Sequence, residues 1–88
     1  MRDLLFHALS HPCRRRIVVM LRKEDMNAGE IASRFDISQP SVSRHLMVLR
    51  KAGLVTAKRC ANQVVYSLHT GALQELILYA SQLLAGQE

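Results

Sequence analysis

Tryptophan is missing from this sequence, and two tyrosines and two phenylalanines are its whole aromatic complement, so any core it forms must be aliphatic. Cysteine is nearly as scarce. Two thiols, Cys13 and Cys60, are too few for the disulfide scaffold that small secreted domains use. Although 49% of the residues are hydrophobic, no run approaches the ~18 apolar residues of a membrane-spanning helix. Signal-peptide order is lacking too: Arg2 is followed at once by Asp3, with no long apolar stretch or small-residue cleavage site after it. These absences predict a cytoplasmic protein with reduced thiols. No internal repeat, low-complexity tract or linker is visible.

The most informative absence is local. Between Ile37 and Gln74 there is no Asp or Glu, whereas Arg44, Arg50, Lys51, Lys58 and Arg59 all lie there. With a formal charge of +5 and a pI near 9.9, the chain concentrates its positive charge in that segment. Such a patch attracts a polyanion through counterion release. Length adds a second constraint: 88 residues suit one domain, which buries only a modest fraction of its unfolded surface and so invites a partner chain.

Within the basic region, Asp36 to Gly53 reads as a turn followed by a helix over about 39 to 51. Ser38 supplies an N-cap, Pro40 falls in the first turn where a missing N–H costs little, and Gly53 stops the run. At about 100° per residue, Leu46 and Leu49 lie within roughly 40° of Val42, while Ser41, Arg44 and His45 point elsewhere. One face is apolar and the other carries hydrogen-bond donors. A helix that packs on a scaffold and enters a DNA major groove needs that division. An ordinary amphipathic surface helix would show it too; the acid-free surroundings favour DNA. Upstream, Met26 to Phe35 reads as a short helix with Ile31, Ala32 and Phe35 inward. Asp36-Ile37-Ser38 then turns tightly into the longer helix, which makes a helix-turn-helix pattern.

The flanks complete the plan. Arg2 to Ser10 is a short helix with a Leu4, Leu5, Ala8, Leu9 stripe, too short to persist unless it packs on something. His11-Pro12 breaks it and opens a second helix through about Arg22, whose core residues are Ile17, Val18, Met20 and Leu21. Arg14, Arg15 and Arg16 read as solvated surface plus one structural ion pair, with phosphate contact as the functional alternative. Lys23 to Asn27 reads as a loop. Leu54 to Cys60 and Gln63 to Leu68 have strand composition, with Val64, Tyr66 and Leu68 on one side and Ala61-Asn62 as the turn. Asn62 tolerates a left-handed backbone and is expected to take that conformation. Thr70 is expected to cap a last helix over about 71 to 85, with Gly86 past its end. Leu73, Leu76, Ile77, Ala80, Leu83 and Leu84 share one broad face of that helix. So small a domain has little left to cover such a face. Together with Leu4, Leu5 and Leu9, it predicts a homodimer, the alternative being a monomer that folds the helix back on its own core.

The runs Ile31-Ala32-Ser33-Arg34-Phe35, Ser38-Gln39-Pro40-Ser41-Val42-Ser43-Arg44-His45-Leu46 and Leu49-Arg50-Lys51-Ala52-Gly53-Leu54-Val55 resemble the ArsR family of small bacterial winged helix-turn-helix repressors. The resemblance covers nearly the whole chain. It implies a mainly α fold with a β-hairpin wing: four helices, two strands and a fifth helix, dimerised through the terminal helices. The chain would form one winged helix-turn-helix domain, residues 1–88, with the helix-turn-helix at about 27–51, the wing at about 54–68 and dimerisation helices at about 2–10 and 71–85. Family members usually carry Gly near the wing tip, where Ala61 stands here.

For DNA reading, Ser41, Ser43, Arg44 and His45 are expected in the groove, with Arg44 the base reader through guanine O6/N7. Ser38 and Gln39 suit phosphate contact, and Lys58, Arg59 and Asn62 suit backbone or minor groove. Metal sensors of the family carry Cys at the stretch matching Ala28-Gly29-Glu30-Ile31, or Asp, His and Glu on the last helix. Neither set is present, since the first stretch has no Cys and Leu73 to Leu84 offers only Glu75. No cofactor or metal is therefore expected. A residual cluster of His7, His11 and Cys13 suits zinc by residue type, but Pro12 breaks the helical spacing. A Cys13–Cys60 redox pair is the other alternative, although redox-sensing relatives join the second helix to the last, where this chain has no Cys. An enzyme is disfavoured: Cys13 and His11 have no Gly-rich phosphate loop, paired carboxylates or oxyanion element beside them. A winged-helix module for protein contacts is the remaining rival. The pattern is similar to the SdpR-type autorepressors of the family, with relief by a protein partner, sequestration or a change in concentration.

Overall fold

The computed structural model describes residues 2–86 and runs α1 (Arg2–Leu9), α2 (Pro12–Lys23), β1 (Met26–Asn27), α3 (Ala28–Ala32), α4 (Gln39–Lys51), β2 (Val55–Cys60), β3 (Gln63–Leu68) and α5 (Thr70–Leu84). This is a winged helix-turn-helix fold. Its core is aliphatic, as the lack of aromatics requires: Leu5, Ile17, Leu21, Ile31, Val42, Leu46, Leu49, Leu54 and Val55 are buried together with Met26. No helix among the described residues is long and apolar enough to cross a membrane.

At 8 residues, α1 could not persist alone, and α2 holds its carboxyl end. Arg14, only 7% exposed, donates from Nε to the Ala8 carbonyl at 2.8 Å and from a terminal nitrogen to that of His7 at 3.0 Å. Arg15 donates to the Leu9 carbonyl at 2.7 Å. These are carbonyls that a helix end leaves without intrahelical partners, and the negative end of the helix dipole offsets the burial of a cation. The structural ion pair expected of this run is thus replaced by carbonyl capping. Arg16 instead stacks on Phe35, its guanidinium carbon 4.8 Å from the ring centroid.

The stretch expected as a loop contains a strand. Met26 pairs with Tyr66 and Asn27 with Val65, which makes a three-stranded antiparallel sheet in the order β1-β3-β2. Two residues carry no readable period; the pairing is created by β3. Asn27 then caps α3 in a reciprocal capping box, accepting from Glu30 N–H at 2.8 Å while Glu30 Oε1 accepts from Asn27 N–H at 2.9 Å. This cap starts α3 at Ala28, and the helix ends at Ala32 instead of reaching Phe35. Tighter i to i−3 bonds from Arg34 and Phe35 turn the chain there.

Helix α4 keeps the expected bounds because both ends are chemically fixed. Ser38 Oγ accepts from Ser41 N–H at 3.3 Å. At the other end Gly53 has φ +80°, with Leu54 N–H bonded to the Leu49 carbonyl and Gly53 N–H to that of Arg50, both at 3.0 Å. That pair of bonds is a Schellman closure, and it brings the fully buried Leu49 and Leu54 together.

Cys60 pairs with Gln63, so Ala61 and Asn62 form a two-residue hairpin loop. The left-handed backbone falls on Ala61, at φ 54°, and not on Asn62. A positive φ at the first loop position alone fits a II′-type turn, which prefers glycine there. A second correction concerns α5: Thr70 is its first helical residue, and His69 occupies the cap position with no side-chain hydrogen bond. Gly86, with φ +72°, follows the helix as expected.

Candidate nucleic-acid interface

Helix α4 buries Val42, Leu46 and Leu49 and presents Gln39, Ser43, Arg44, Met47, Arg50 and Lys51 to solvent. Arg44 reaches back one turn, donating to Ser41 Oγ at 3.1 Å, while Ser38 Oγ donates to the same oxygen at 3.1 Å. Backward reach is the ordinary direction of a long helical side chain. Ser38, Ser41 and Arg44 therefore form one hydrogen-bonded row at the amino end of α4. No acidic residue occurs in its first turn, so the positive end of the helix dipole remains available to an anion.

The wing faces this helix. Lys58 and Arg59 are exposed neighbours on β2 and, by strand alternation, point to opposite faces of the hairpin; Asn62 is exposed at its tip. An open cleft of about 490 Å³ lies between α4 and the wing, lined by Ser43, Met47, Arg50, Lys51 and Tyr66. Another, of about 440 Å³, is lined by Gln39, Asn62 and Gln63 among others, and Tyr66 borders both. Sequence reading counted Arg50 and Lys51 in the basic patch without placing them at this cleft, and it assigned Tyr66 to strand packing. Only pairing with β1 and β2 reveals the double position of Tyr66.

His45 has a different environment from the other residues expected in the groove. It is half-buried, its Nδ1 lies 3.3 Å from a terminal nitrogen of Arg14, and its ring centroid lies 4.6 Å from that of His11. Burial lowers its pKa below the usual histidine value, reinforced by positive charge at His11, Arg14 and Arg44. Both effects favour the neutral ring. His11 caps α2, its Nδ1 accepting from Cys13 N–H at 3.0 Å. Ligand atoms of His11, Cys13 and His45 lie within 4.8 Å of one another. In the cluster suggested by sequence, His45 takes the place of His7, whose carbonyl, by contrast, serves Arg14 and Ser10. Cys13 and Cys60 are both free thiols, the first half-buried and the second exposed at the wing.

On the opposite side, α1 and α5 meet through Phe6 and Tyr79, with ring centroids 5.9 Å apart. Leu5 is buried in its own chain's core, Leu9, Leu73 and Leu76 are half-buried against it, and Leu4, Ile77, Ala80, Leu83 and Leu84 are exposed. Phe6 and Leu78 join the exposed set, although sequence reading had not put them on this face. Of the eight large exposed hydrophobics among the described residues, Leu4, Phe6, Ile77, Leu78, Leu83 and Leu84 belong to these two helices, so the apolar surface is concentrated there.

A capped helix bearing donors, a basic hairpin beside it and a cleft between them define a winged helix-turn-helix DNA-binding regulator. Residues 11–57 match the model of a bacterial regulatory protein family, the arsR family. The chain belongs to that family. It is 44% identical over 73 residues to the transcriptional repressor SdpR of Bacillus subtilis (strain 168), covering 83% of this chain and 81% of that one. It is 38% identical over 79 residues to the biofilm growth-associated repressor of Agrobacterium fabrum, covering 88% and 68%. Among solved structures, a possible transcriptional regulator for arsenical resistance superposes with a TM-score of 0.79 at 32% identity, covering 86% of this chain and 80% of that one.

Proposed function

We propose that this chain is a single-domain, homodimeric, cytoplasmic repressor that occupies a pseudo-palindromic operator near its own gene. The observation that carries the reading is the juxtaposition of the donor row on α4 with the cationic wing, inside a segment free of acidic side chains. In this reading, Arg44 and Ser43 read base edges, while Ser38, Gln39 and Ser41 hold phosphate at the helix start. Lys58, Arg59 and Asn62 follow the backbone, joined by Arg50 and Lys51 across the cleft. His45 supports α4 from behind rather than reading a base. Pairing two copies through α1 and α5 would set the α4 helices about 34–36 Å apart, one duplex turn. The similarity to two repressors supports repression over activation. Without the ligand sets of the family's metal sensors, relief falls to a protein partner, sequestration or dilution.

Fluorescence anisotropy of the reduced protein on its own upstream DNA, titrated with salt, tests this reading. Tight binding with a steep salt slope is expected, and salt-insensitive complex formation would point to a protein-interaction module. Arg44→Ala should relax sequence preference. Lys58→Ala should weaken all sequences alike and reduce the salt slope by about 1. Identical behaviour of the two variants would contradict this division between base and backbone contacts.

A further inference from the structure

We propose that His11, Cys13 and His45 form a binding site for one thiophilic d10 metal ion, Cu(I) in preference to Zn(II). The three side chains come from two separate parts of the chain, the start of α2 and the middle of α4. All are half-buried, with their ligand atoms within 4.8 Å of one another. Metal bonds of about 2.0–2.3 Å set ligand separations of about 3.5–4 Å, so side-chain movements of about 1 Å close the site. Two imidazoles and a thiolate are a soft donor set, unsuited to Mg²⁺ or Ca²⁺, which require oxygen ligands.

Charge orders the two soft ions. The fixed charges nearest His45 are the guanidinium groups of Arg14 and Arg44, both positive. One thiolate neutralises a monovalent ion completely and a divalent ion by half, so Cu(I) adds no net charge beside the guanidinium groups. On coordination the Cys13 thiol gives its proton to solvent, and nothing is oxidised or reduced. The site differs from the ligand positions that the family resemblance implies, and it does not use His7.

Occupancy also has a mechanical consequence. A backbone N–H and a guanidinium can only donate, so Nδ1 of His11 accepts from Cys13 and Nδ1 of His45 accepts from Arg14. With Nδ1 accepting, the N–H of each ring lies at Nε2. A metal must take a lone pair from each ring, either by displacing those donors at Nδ1 or by exchanging the tautomer and losing the same two hydrogen bonds. Binding therefore replaces the cap of α2 and the contact between Arg14 and α4 with a clip between the two helices. Since His45 follows Arg44, the clip bears directly on the DNA-facing helix. Metal binding itself does not depend on the operator reading above.

Anaerobic titration of the reduced protein with Cu(I), and separately Zn(II), against a chromophoric chelator tests the site, with Co(II) as optical probe. One equivalent per chain and a thiolate-to-cobalt charge-transfer band are expected. Cys13→Ser and His45→Gln should each weaken Cu(I) binding at least about tenfold, the loss that follows removal of even an outer-shell partner. His11→Asn, which retains a capping acceptor, should do the same, with far-UV circular dichroism confirming that each variant is folded. Cys60→Ser and His7→Gln should bind as the parent does. Unchanged Cu(I) affinity in folded Cys13→Ser, or affinity lost in Cys60→Ser instead, overturns the site. Zn(II) uptake without Cu(I) uptake overturns the preference.

Discussion

Helices α4 and α5 are of similar length, yet the chain treats them oppositely. Helix α4 is capped by Ser38, closed by Gly53 and pinned by three buried residues, Val42, Leu46 and Leu49. Helix α5 lacks a side-chain N-cap bond and buries only Ala72, while Ile77 is 67% exposed and Leu84 91%. The two helices teach where stability comes from in a chain this small. One is held by residues of its own chain; the other is amphipathic without a partner large enough to cover it.

Single substitutions in the two helices and in the turns between them test that contrast. Leu49→Ala, in the stripe of α4 and the Schellman contact, should reduce unfolding free energy by about 2–5 kcal/mol in urea titration. Leu84→Ala at the end of α5 should cost less than about 0.5 kcal/mol at low protein concentration. A comparable loss at Leu84 would show α5 to be folded onto its own chain. Next, Ile77→Asp should leave the single chain stable but weaken self-association at least about tenfold, or ~1.4 kcal/mol, in sedimentation equilibrium. If its association constant matched that of the parent, the dimer surface would lie elsewhere. Gly53→Ala forces a Cβ into a left-handed position and should cost about 1–2 kcal/mol by thermal melt. Ala61→Gly at the wing tip relieves the same conformation and should stabilise by under about 1 kcal/mol. Destabilisation there would mean that the Ala61 methyl makes a contact worth more than the backbone relief.

How much was legible follows the same division. The bounds of α4 could be read from sequence because Ser38, Pro40 and Gly53 act locally, each through its own backbone chemistry. The hairpin was legible through strand composition and the Ala61-Asn62 turn, but not which turn residue would carry the positive φ. Strand β1 was hidden, because Met26 and Asn27 become a strand only by meeting Tyr66 and Val65. The start of α5 was misplaced at Thr70 because a threonine there satisfies the usual cap rule, whereas the backbone enters the helix at His69. Tertiary proximity was the least legible. Nothing in the spacing of His45 from His11 and Cys13 shows that α2 and α4 cross with these side chains together. Likewise, Arg14 looks like one of three equal surface arginines until its carbonyl partners at the end of α1 are seen.

The bare face of α5 also bears on how the protein would behave as its amount changes. If operator binding requires two chains joined through that face, the competent species grows with the square of chain concentration where monomers predominate. Halving synthesis would then lower it by up to about fourfold. An autorepressor built this way leaves its own promoter open while the chain is scarce and closes it over a narrow range of abundance. Dilution at cell division alone could then reopen the gene, and the side chains that would set this threshold, Ile77, Leu78 and Leu84, lie on α5, away from the helix proposed to meet DNA.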